Sequence, residues 1–303
     1  MPSGGAGCWS RGAVVTGQIS VIVTTYNRVD ALGAVLRGLD HQTDRDFEVI
    51  VADDGSGAAT REFLARRAAR LDRPLKHVWH EDRGFRAAEI RNRGILASSG
   101  GYCVFLDGDC IPRPNFIAVH RRLAEPGWFV TGNRVLLGRD LSERVLAQSL
   151  EPERWSLATW LALRARRQFN RLAPLVPMAA GPLRKLRAGA WPGARSCNLA
   201  VWRSDLDRVD GFDARYSGWG LEDSDLLVRL LHAGVRRKDG NFGTGVLHLW
   251  HPESDRSRLP DNQRRLDEIA RSDRQRASDG LSALRVSEHE AQSGVLGVGR
   301  PML

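Results

Sequence analysis

Two pairs of acidic residues stand where carboxylates can do chemistry. Asp107 and Asp109 enclose a glycine directly after the apolar run 102–106, so together they can hold one divalent cation with the phosphates of a substrate. Glu222 and Asp223 open a predicted helix behind a Gly-Trp-Gly turn. Because adjacent side chains cannot share one helix face, one could bind a substrate hydroxyl while the other takes its proton. For either pair the alternative is an ordinary acidic turn or first helical turn.

A third acidic pair, Asp53 and Asp54, ends the apolar run 47–52 and is followed by Gly-Ser-Gly. Two glycines fit a dinucleotide-binding loop, but Thr60 stands in place of the third, so a nicotinamide-dependent dehydrogenase is not expected. A carboxylate here could accept hydrogen bonds from a uracil N–H or from ribose hydroxyls. The alternative is a plain turn in which Asp54 caps a helix.

Histidine and tryptophan side chains could complete these sites. His248 could add an imidazole to the Asp107–Asp109 pair, and this donor suits Mn²⁺ better than Mg²⁺. We assign no role to His251, and for at least one of the two histidines the alternative is a structural hydrogen bond. Trp219, close to the Glu222–Asp223 pair, offers a flat apolar surface for a sugar ring.

An alternation of strands and helices must position these residues. Apolar, β-branched runs predict buried strands over residues 19–25, 47–52 and 102–106, with one-sided helices between them. This pattern predicts an α/β fold with a doubly wound, mostly parallel sheet, in which ligands bind at the carboxyl ends of the strands. Two of the acidic pairs directly follow such strands, so they should face one crevice.

Together these motifs resemble two halves of a known enzyme family. ISVIVTTYNR from residue 19, ADDGS from residue 52, RN from residue 91 and LDGD from residue 106 are similar to the nucleotide-sugar half of a family 2 glycosyltransferase with the GT-A fold. GFD from residue 211, WGLEDSD from residue 219 and VLH from residue 246 are similar to the acceptor half shared by galactosyltransferases and chondroitin-polymerase-type enzymes. The resemblance covers residues 18–134 and 196–255.

This resemblance implies an inverting, metal-dependent transfer from a UDP-sugar to a hydroxyl of a glycan or lipid-linked saccharide, such as lipopolysaccharide or another surface polysaccharide. It implies Mn²⁺ or Mg²⁺ on Asp107, Asp109 and His248, with Asp223 as catalytic base and Glu222 as its acceptor-binding partner. The further substrate-binding residues it implies are Thr25, Tyr26 and Arg28 in the nucleotide pocket, Asp53 or Asp54 at the uracil, Arg91 at the base or phosphates, Asp107, and Trp219. The alternative is a non-catalytic sugar- or anionic-polymer-binding protein on the same fold.

The net charge of +9 arises in one segment. From Arg154 to Arg195 the chain has nine basic residues and no acidic one, interleaved with tryptophans and with an apolar stretch that prolines interrupt. A nucleic-acid-binding protein would spread its charge along a face and would leave the acidic motifs unused, so nucleic acid is not an expected partner. We expect an anionic membrane surface to meet this segment. The alternatives are an acceptor cleft for an anionic glycan and a solvated helical face.

The composition, 42% hydrophobic and 27% charged, is that of a folded protein and excludes a disordered or polytopic membrane chain. With no signal peptide and no apolar run of about 20 residues, we expect a cytoplasmic protein, peripheral on the cytoplasmic face of the inner membrane. Four cysteines without a C-x-x-C pair predict neither a disulfide framework nor a structural zinc site. The predicted organisation is a flexible tail over residues 1–17, a nucleotide-sugar-binding half over 18–134, a basic, tryptophan-containing helical insert over 135–195, an acceptor and catalytic half over 196–255, and a helix with a flexible tail over 256–303.

Overall fold

The computed structural model describes residues 17–69, 73–176 and 181–287. Its strands are β1 (Ile19–Thr25), β2 (Phe47–Asp53), β3 (Leu75–Trp79), β4 (Tyr102–Asp107), β5 (Cys110–Pro112), β6 (Trp128–Thr131), β7 (Arg134–Leu136), β8 (Asn198–Trp202), β9 (Arg236–Asp239) and β10 (Val246–His248). Its α-helices are α1 (Val29–Asp40), α2 (Ala58–Ala68), α3 (Ala87–Ala97), α4 (Phe116–Leu123), α5 (Arg139–Ala147), α6 (Leu157–Ala165), α7 (Arg203–Val209), α8 (Glu222–His232) and α9 (Leu259–Ala270).

The main sheet has seven strands in the order β3-β2-β1-β4-β8-β6-β9. The first four are parallel, β8 runs antiparallel to both of its neighbours, and β9 is parallel to β6. Six strands therefore run in one direction and only β8 opposes them. The predicted mostly parallel sheet is confirmed.

The sheet is covered on both faces, which explains why its central strands are apolar throughout. Along β4, Val104 and Leu106 pack into the hydrophobic cluster that contains α1, whereas Cys103 and Phe105 pack into the cluster of α7 and α8 on the other face. The same alternation holds along β1, where Val21 and Val23 face one side and Ile22 the other. Successive strand residues thus serve two cores.

A small second sheet, in the order β5-β10-β7, begins just after β4, because β4 ends at Asp107 and β5 starts at Cys110. β10 is antiparallel to β5, with His248 opposite Cys110, and it is parallel to β7. The Leu249 N–H also donates to the Asp109 carbonyl at 2.9 Å. This pairing carries residues from the far end of the chain to the acidic turn after β4.

The basic insert contains α5, α6 and three short 3₁₀ turns, and its aromatic side chains point inward. Trp160 and Phe169 are buried, with ring centroids 5.1 Å apart, and both belong to the core under α1. The exposed large apolar side chains in the described part of this insert are leucines and a valine, whereas Trp155 and Trp191 are half-buried. Within the described residues, no helix has the length and hydropathy that a membrane span requires.

The C-terminal region packs on the domain further than the sequence predicted. Residues 271–287 were expected to lie in a flexible tail, yet Leu281 is fully buried in the core of α7 and α8. The Ser282 hydroxyl donates to Asp210, and Gly280 lies so close to the Asp210 backbone that a Cβ would clash. The rest of that predicted tail, and residues 1–16 of the N-terminal one, lie outside the described residues.

Candidate active site

The carboxyl ends of three parallel strands place the acidic motifs on one edge of the sheet. In the register of the sheet, Thr25 pairs with Asp53 and Thr24 pairs with Asp107. Two hydrogen bonds then hold the loops that follow: the Asp54 N–H donates to the Thr25 carbonyl at 2.9 Å, and the Gly108 N–H donates to the Thr24 carbonyl at 2.7 Å. The structure therefore brings both acidic turns to one crevice, as the sequence predicts.

Two adjoining cavities open at this edge. The smaller cavity, about 280 Å³, is lined at the ends of β1, β2, β4 and β10 by residues that include Thr25, Tyr26, Arg28, Asp54, Asp109 and His251. The larger cavity, about 470 Å³, is lined mainly by the acceptor half and the end of the insert, with Arg134 of β7; its residues include Trp191, Ser196, Cys197, Glu222 and Asp223. Both cavities are lined by Phe85, Arg91, Asp107 and Trp219, which form the wall between them.

Arg91 links the acidic motifs across this wall. Its guanidinium donates to Glu222 Oε1 at 2.8 Å, to Asp107 Oδ1 at 3.2 Å and to Thr24 Oγ1 at 3.2 Å, and it lies over the Phe212 ring. Burial alone would lower the pKa of Arg91, but the carboxylates of Glu222 and Asp107 raise it above its ordinary value. Arg91 is thus a fixed positive charge that joins two motifs more than one hundred residues apart in the chain.

An irregular turn positions the Glu222–Asp223 pair. Gly218 and Gly220 have φ values of 73° and 102°, and Leu221, at φ 78°, adopts the left-handed conformation that a branched side chain disfavours. Helix α8 begins directly afterwards, so both carboxylates stand at its positive N-terminal end. This strained turn orients the first turn of α8 towards the larger cavity, which Glu222 and Asp223 line.

The two carboxylates have different partners. Asp223 Oδ2 accepts a hydrogen bond from the Ser196 N–H at 3.2 Å, and its Oδ1 accepts one from the Ser224 N–H at 2.7 Å. Glu222 uses Oε1 for Arg91, whereas its Oε2 is buried and lacks a hydrogen-bond partner among the described residues. Burial and the neighbouring Asp223 raise the pKa of Glu222, against the lowering effect of Arg91.

The Asp109 carboxylate faces two imidazoles. His248 Nε2 lies 3.8 Å from Asp109 Oδ1 and His251 Nε2 lies 3.3 Å from Asp109 Oδ2, with the two rings 5.2 Å apart. His251, to which the sequence assigns no role, is therefore the nearer of the two to Asp109 and also lines the smaller cavity. The sequence feature that could have identified His251 as a site residue is its spacing of three residues from His248.

This donor set fits a divalent cation. Burial lowers the pKa of His248, so its ring is neutral and able to act as a ligand near pH 7. Burial raises the pKa of Asp107, an effect that the neighbouring Asp109 strengthens and Arg91 opposes. Carboxylate oxygens combined with imidazole nitrogens suit Mn²⁺. Asp109, His248 and the Cys110 thiol each offer a ligand atom within 4.8 Å of the other two, and His251 also lies beside Asp109. Asp107, Asp109, His248 and His251 are therefore the residues that could hold such an ion.

The pair after β2 divides into one buried and one cavity-lining residue. Asp53 is fully buried, with Oδ1 accepting from the Ser56 N–H and Oδ2 lying 3.0 Å from His77 Nε2, and it lines neither cavity. Asp54 lines the smaller cavity, where it contacts His80 Nε2 at 2.6 Å. Of the two residues expected at the uracil, Asp54 is the one in position. It is not a helix cap, because α2 begins after Gly57.

The other residues predicted for the nucleotide pocket come together at the smaller cavity. Thr25, Tyr26 and Arg28 all line the smaller cavity, and Thr25 Oγ1 is buried without a hydrogen-bond partner among the described residues. The Tyr26 hydroxyl donates to Asp82 Oδ2 at 2.9 Å. Sequence reasoning missed Ser196, which acts through its backbone N–H and so leaves no trace in side-chain chemistry.

Comparison with known sequences assigns the family. The model described as "Glycosyl transferase family 2" matches residues 20–190, and the model described as "N-terminal domain of galactosyltransferase" matches residues 187–251. The chain belongs to glycosyl transferase family 2. The two resemblances that the sequence motifs indicate are both confirmed. Their bounds differ from the predicted ones, because the first match runs through most of the basic insert to residue 190 and the second begins inside the insert at residue 187.

Among curated relatives, the validoxylamine A glucosyltransferase of Streptomyces hygroscopicus subsp. jinggangensis (strain 5008) is 32% identical over 232 residues, which cover 72% of this chain and 52% of the relative. A chondroitin synthase of Escherichia coli is 26% identical over 247 residues, covering 75% of this chain and 34% of the relative. The chain thus spans about half the length, or less, of these relatives.

Solved structures confirm the GT-A fold. GalNAc-T7 with UDP, GalNAc and Mn²⁺ superposes with a TM-score of 0.59 at 17% identity, over 83% of this chain and 47% of that one. The mannosyltransferase PcManGT from Pyrobaculum calidifontis, in complex with GDP-Man and Mn²⁺, superposes with a TM-score of 0.53 at 17% identity, over 96% and 84% of the two chains.

Proposed function

We propose that this protein is an inverting, metal-dependent glycosyltransferase that moves a sugar from a UDP-sugar to a hydroxyl of a glycan or of a lipid-linked saccharide. One observation carries the proposal: Asp107, from the predicted metal motif, and Asp223, the predicted base, line the same cavity and are connected through Arg91 and Glu222. A donor in the smaller cavity and an acceptor in the larger one would then meet at their shared wall.

The residues of the smaller cavity would hold the donor. Asp54 offers a carboxylate to the uracil N–H, and Thr25, Tyr26 and Arg28 surround the nucleotide. A Mn²⁺ or Mg²⁺ ion on Asp107, Asp109 and His248, with His251 beside them, would neutralise charge on the departing diphosphate. Of the structural neighbours, GalNAc-T7 was solved with UDP and Mn²⁺ and PcManGT with GDP-Man and Mn²⁺, so they share the ion but not the nucleotide.

The residues of the larger cavity would activate the acceptor. The Ser196 and Ser224 N–H groups fix the Asp223 carboxylate, which takes the proton of the acceptor hydroxyl as that oxygen attacks the anomeric carbon. The unpartnered Oε2 of Glu222 accepts a hydrogen bond from the acceptor, and Trp219 packs on a sugar ring. A single displacement of this kind inverts the anomeric configuration.

The test is UDP release from a panel of UDP-sugars with Mn²⁺, Mg²⁺ or EDTA. We expect metal-dependent turnover of one donor, and a loss of about 10²- to 10⁴-fold in Asp223→Asn with UDP binding retained in calorimetry. Asp225→Asn is the matched control, because Asp225 is buried on the same helix but pairs with Arg229 at 2.7 Å and lines neither cavity. It should lower stability while folded molecules keep their turnover.

Three results contradict the proposal in different ways. If Asp223→Asn transfers sugar at a rate within a few-fold of wild type, Asp223 is not the base. If turnover is the same with EDTA as with a divalent ion, the reaction does not depend on a metal. UDP binding without turnover of any donor would favour the alternative, a non-catalytic sugar- or anionic-polymer-binding protein on this fold.

We further propose that residues 154–195 hold the enzyme on an anionic membrane, on the cytoplasmic face of an inner membrane, near a lipid-linked acceptor. Helix α6 exposes Leu157 and Leu161, each 51% exposed, and Leu183 and Leu186 further along are 64% and 78% exposed. Exposed arginines accompany them at the end of α6. Apolar side chains beside basic ones suit the interface of an anionic bilayer.

A further inference from the structure

The fold brings two buried thiols together beside the acidic turn. Cys110 begins β5, one residue after Asp109, and Cys197 directly precedes β8. One ligand atom from each of Cys110, Cys197 and Asp107 lies within 4.8 Å of the other two. Both thiols are buried and unbonded to another cysteine, and the mechanism proposed above uses neither.

We propose that Cys110, Cys197 and Asp107 form a binding site for one thiophilic divalent cation, such as Zn²⁺, Cd²⁺ or Co²⁺. Zinc–sulfur bonds of about 2.3 Å in a tetrahedral site separate two sulfur ligands by about 3.8 Å, so a small side-chain movement suffices. The fourth position faces the larger cavity, which Cys197 and Asp107 both line, and a water can fill it. The same cavity gives the ion its entry path.

This site differs from the proposed donor metal site in its chemistry. The donor site offers carboxylates and imidazoles, a set that suits Mn²⁺, and its one sulfur neighbour is Cys110, which lies within 4.8 Å of ligand atoms of Asp109 and His248. The proposed site adds a second sulfur ligand from Cys197, and two sulfur ligands select softer ions. Binding releases the two thiol protons to solvent and leaves two thiolates and one carboxylate around a divalent ion. The remaining negative charge is offset by Arg134, whose guanidinium interacts electrostatically with Cys110, Cys197 and Asp107.

The two sites share Asp107, so they compete for it. A thiophilic ion held by Cys110 and Cys197 draws the Asp107 carboxylate away from the donor metal. It should therefore inhibit transfer even when Mn²⁺ is in excess. This inhibition rests on the proposed function, whereas the binding of the ion does not.

The test is a Co²⁺ titration of the metal-free full-length chain in a Cys8→Ser, Cys103→Ser background, which retains only the two thiols in question. We expect a sulfur-to-cobalt charge-transfer band that saturates at one ion per chain. Adding Cys110→Ser or Cys197→Ser should weaken Co²⁺ binding at least about 100-fold and, at saturating Co²⁺, leave only the weaker band of a single sulfur ligand. Asp107→Asn should weaken binding at least about 10-fold and keep the band.

The outcomes separate the two proposals. The absence of a band at saturating Co²⁺ overturns the site, and so does an undiminished band with unchanged affinity after loss of either thiol. An unchanged affinity in Asp107→Asn overturns the competition. If a serine variant fails to fold, alkylation of the wild-type protein decides instead: Cd²⁺ should slow modification of Cys110 and Cys197 but not of Cys103, and equal rates overturn the site. None of these readouts depends on transferase activity.

Discussion

Replacing Arg91 should lower the free energy of unfolding, because Arg91 hydrogen-bonds to the carboxylates of Glu222 and Asp107. In Arg91→Met the methionine keeps most of the buried side-chain volume but leaves Glu222 without any partner for its carboxylate and removes one donor from Asp107. The side chains of Arg91 and Glu222 are only 5% and 9% exposed, so solvent from the larger cavity replaces the lost bonds only in part. Removing one partner of such a buried pair costs about 3–5 kcal/mol in the free energy of unfolding.

A double-mutant cycle isolates this pair. Glu222→Gln alone should also destabilise, because Arg91 loses its charged partner, but Arg91→Met with Glu222→Gln buries no unpaired charge at position 222. We expect the double variant to be about 2 kcal/mol more stable than the sum of the single effects predicts. The free energy of unfolding is measured by urea titration followed by circular dichroism.

The control is Arg66→Met on α2, where Arg66 and Glu62 are 68% and 67% exposed and pair at 3.7 Å. An exposed pair of this kind contributes at most about 1 kcal/mol. If Arg91→Met costs no more than this control, or if the two single effects simply add, Arg91 does not stabilise the acidic site, and the link between the two motifs has no energetic basis.

Two further predictions concern regions outside the site. His120 is fully buried and burial lowers its pKa from 6.5 to about 4, so the stability that it contributes is complete above pH 6.5 and about 3 kcal/mol is lost as the pH falls towards 4. Urea titrations at pH 7 and pH 4 measure how much the free energy of unfolding falls between the two pH values. His120→Leu should make this fall smaller, and an equal fall in the variant and the wild type contradicts the assignment. Neutralising four arginines should weaken binding to anionic vesicles about 1,000-fold, at about 1 kcal/mol each, whereas the same number of exposed arginines outside residues 154–195 should matter less. An equal loss of vesicle binding in the two sets of variants would refute the membrane proposal. The four arginines inside the segment are Arg164, Arg166, Arg167 and Arg171.

The sheet could be predicted because its strands are buried on both faces. A strand such as β4 must be apolar at every position, and a continuous run of this kind ended by Asp-Gly-Asp is visible without any homologue. The C-terminal packing of Leu281 could not be predicted in the same way. One buried leucine beside one glycine gives no periodic pattern, and its contacts come from a distant turn at Asp210.

The composition of the site was predictable, but its connections were not. Residue type and spacing indicate Asp107, Asp109, Asp223 and His248, because each belongs to a short motif. The choice between Asp53 and Asp54 depends on which carboxylate His77 holds in the interior, and that follows from the pairing of β2 with β3. Contacts between distant motifs arise only from the folded chain.

The charge around Asp107 argues for a divalent cation independently of any relative. Over both cavities, the carboxylates of Asp54, Asp107, Asp109, Glu222 and Asp223 face an equal number of arginines, so the need for an ion is local and does not come from a deficit of the whole site. At the turn after β4, burial and the neighbouring Asp109 raise the pKa of Asp107, and Arg91, which opposes this effect, also holds Glu222. A carboxylate in this position is costly without a further positive charge. One divalent ion at Asp107 and Asp109 would supply that charge at the position where a departing diphosphate needs it.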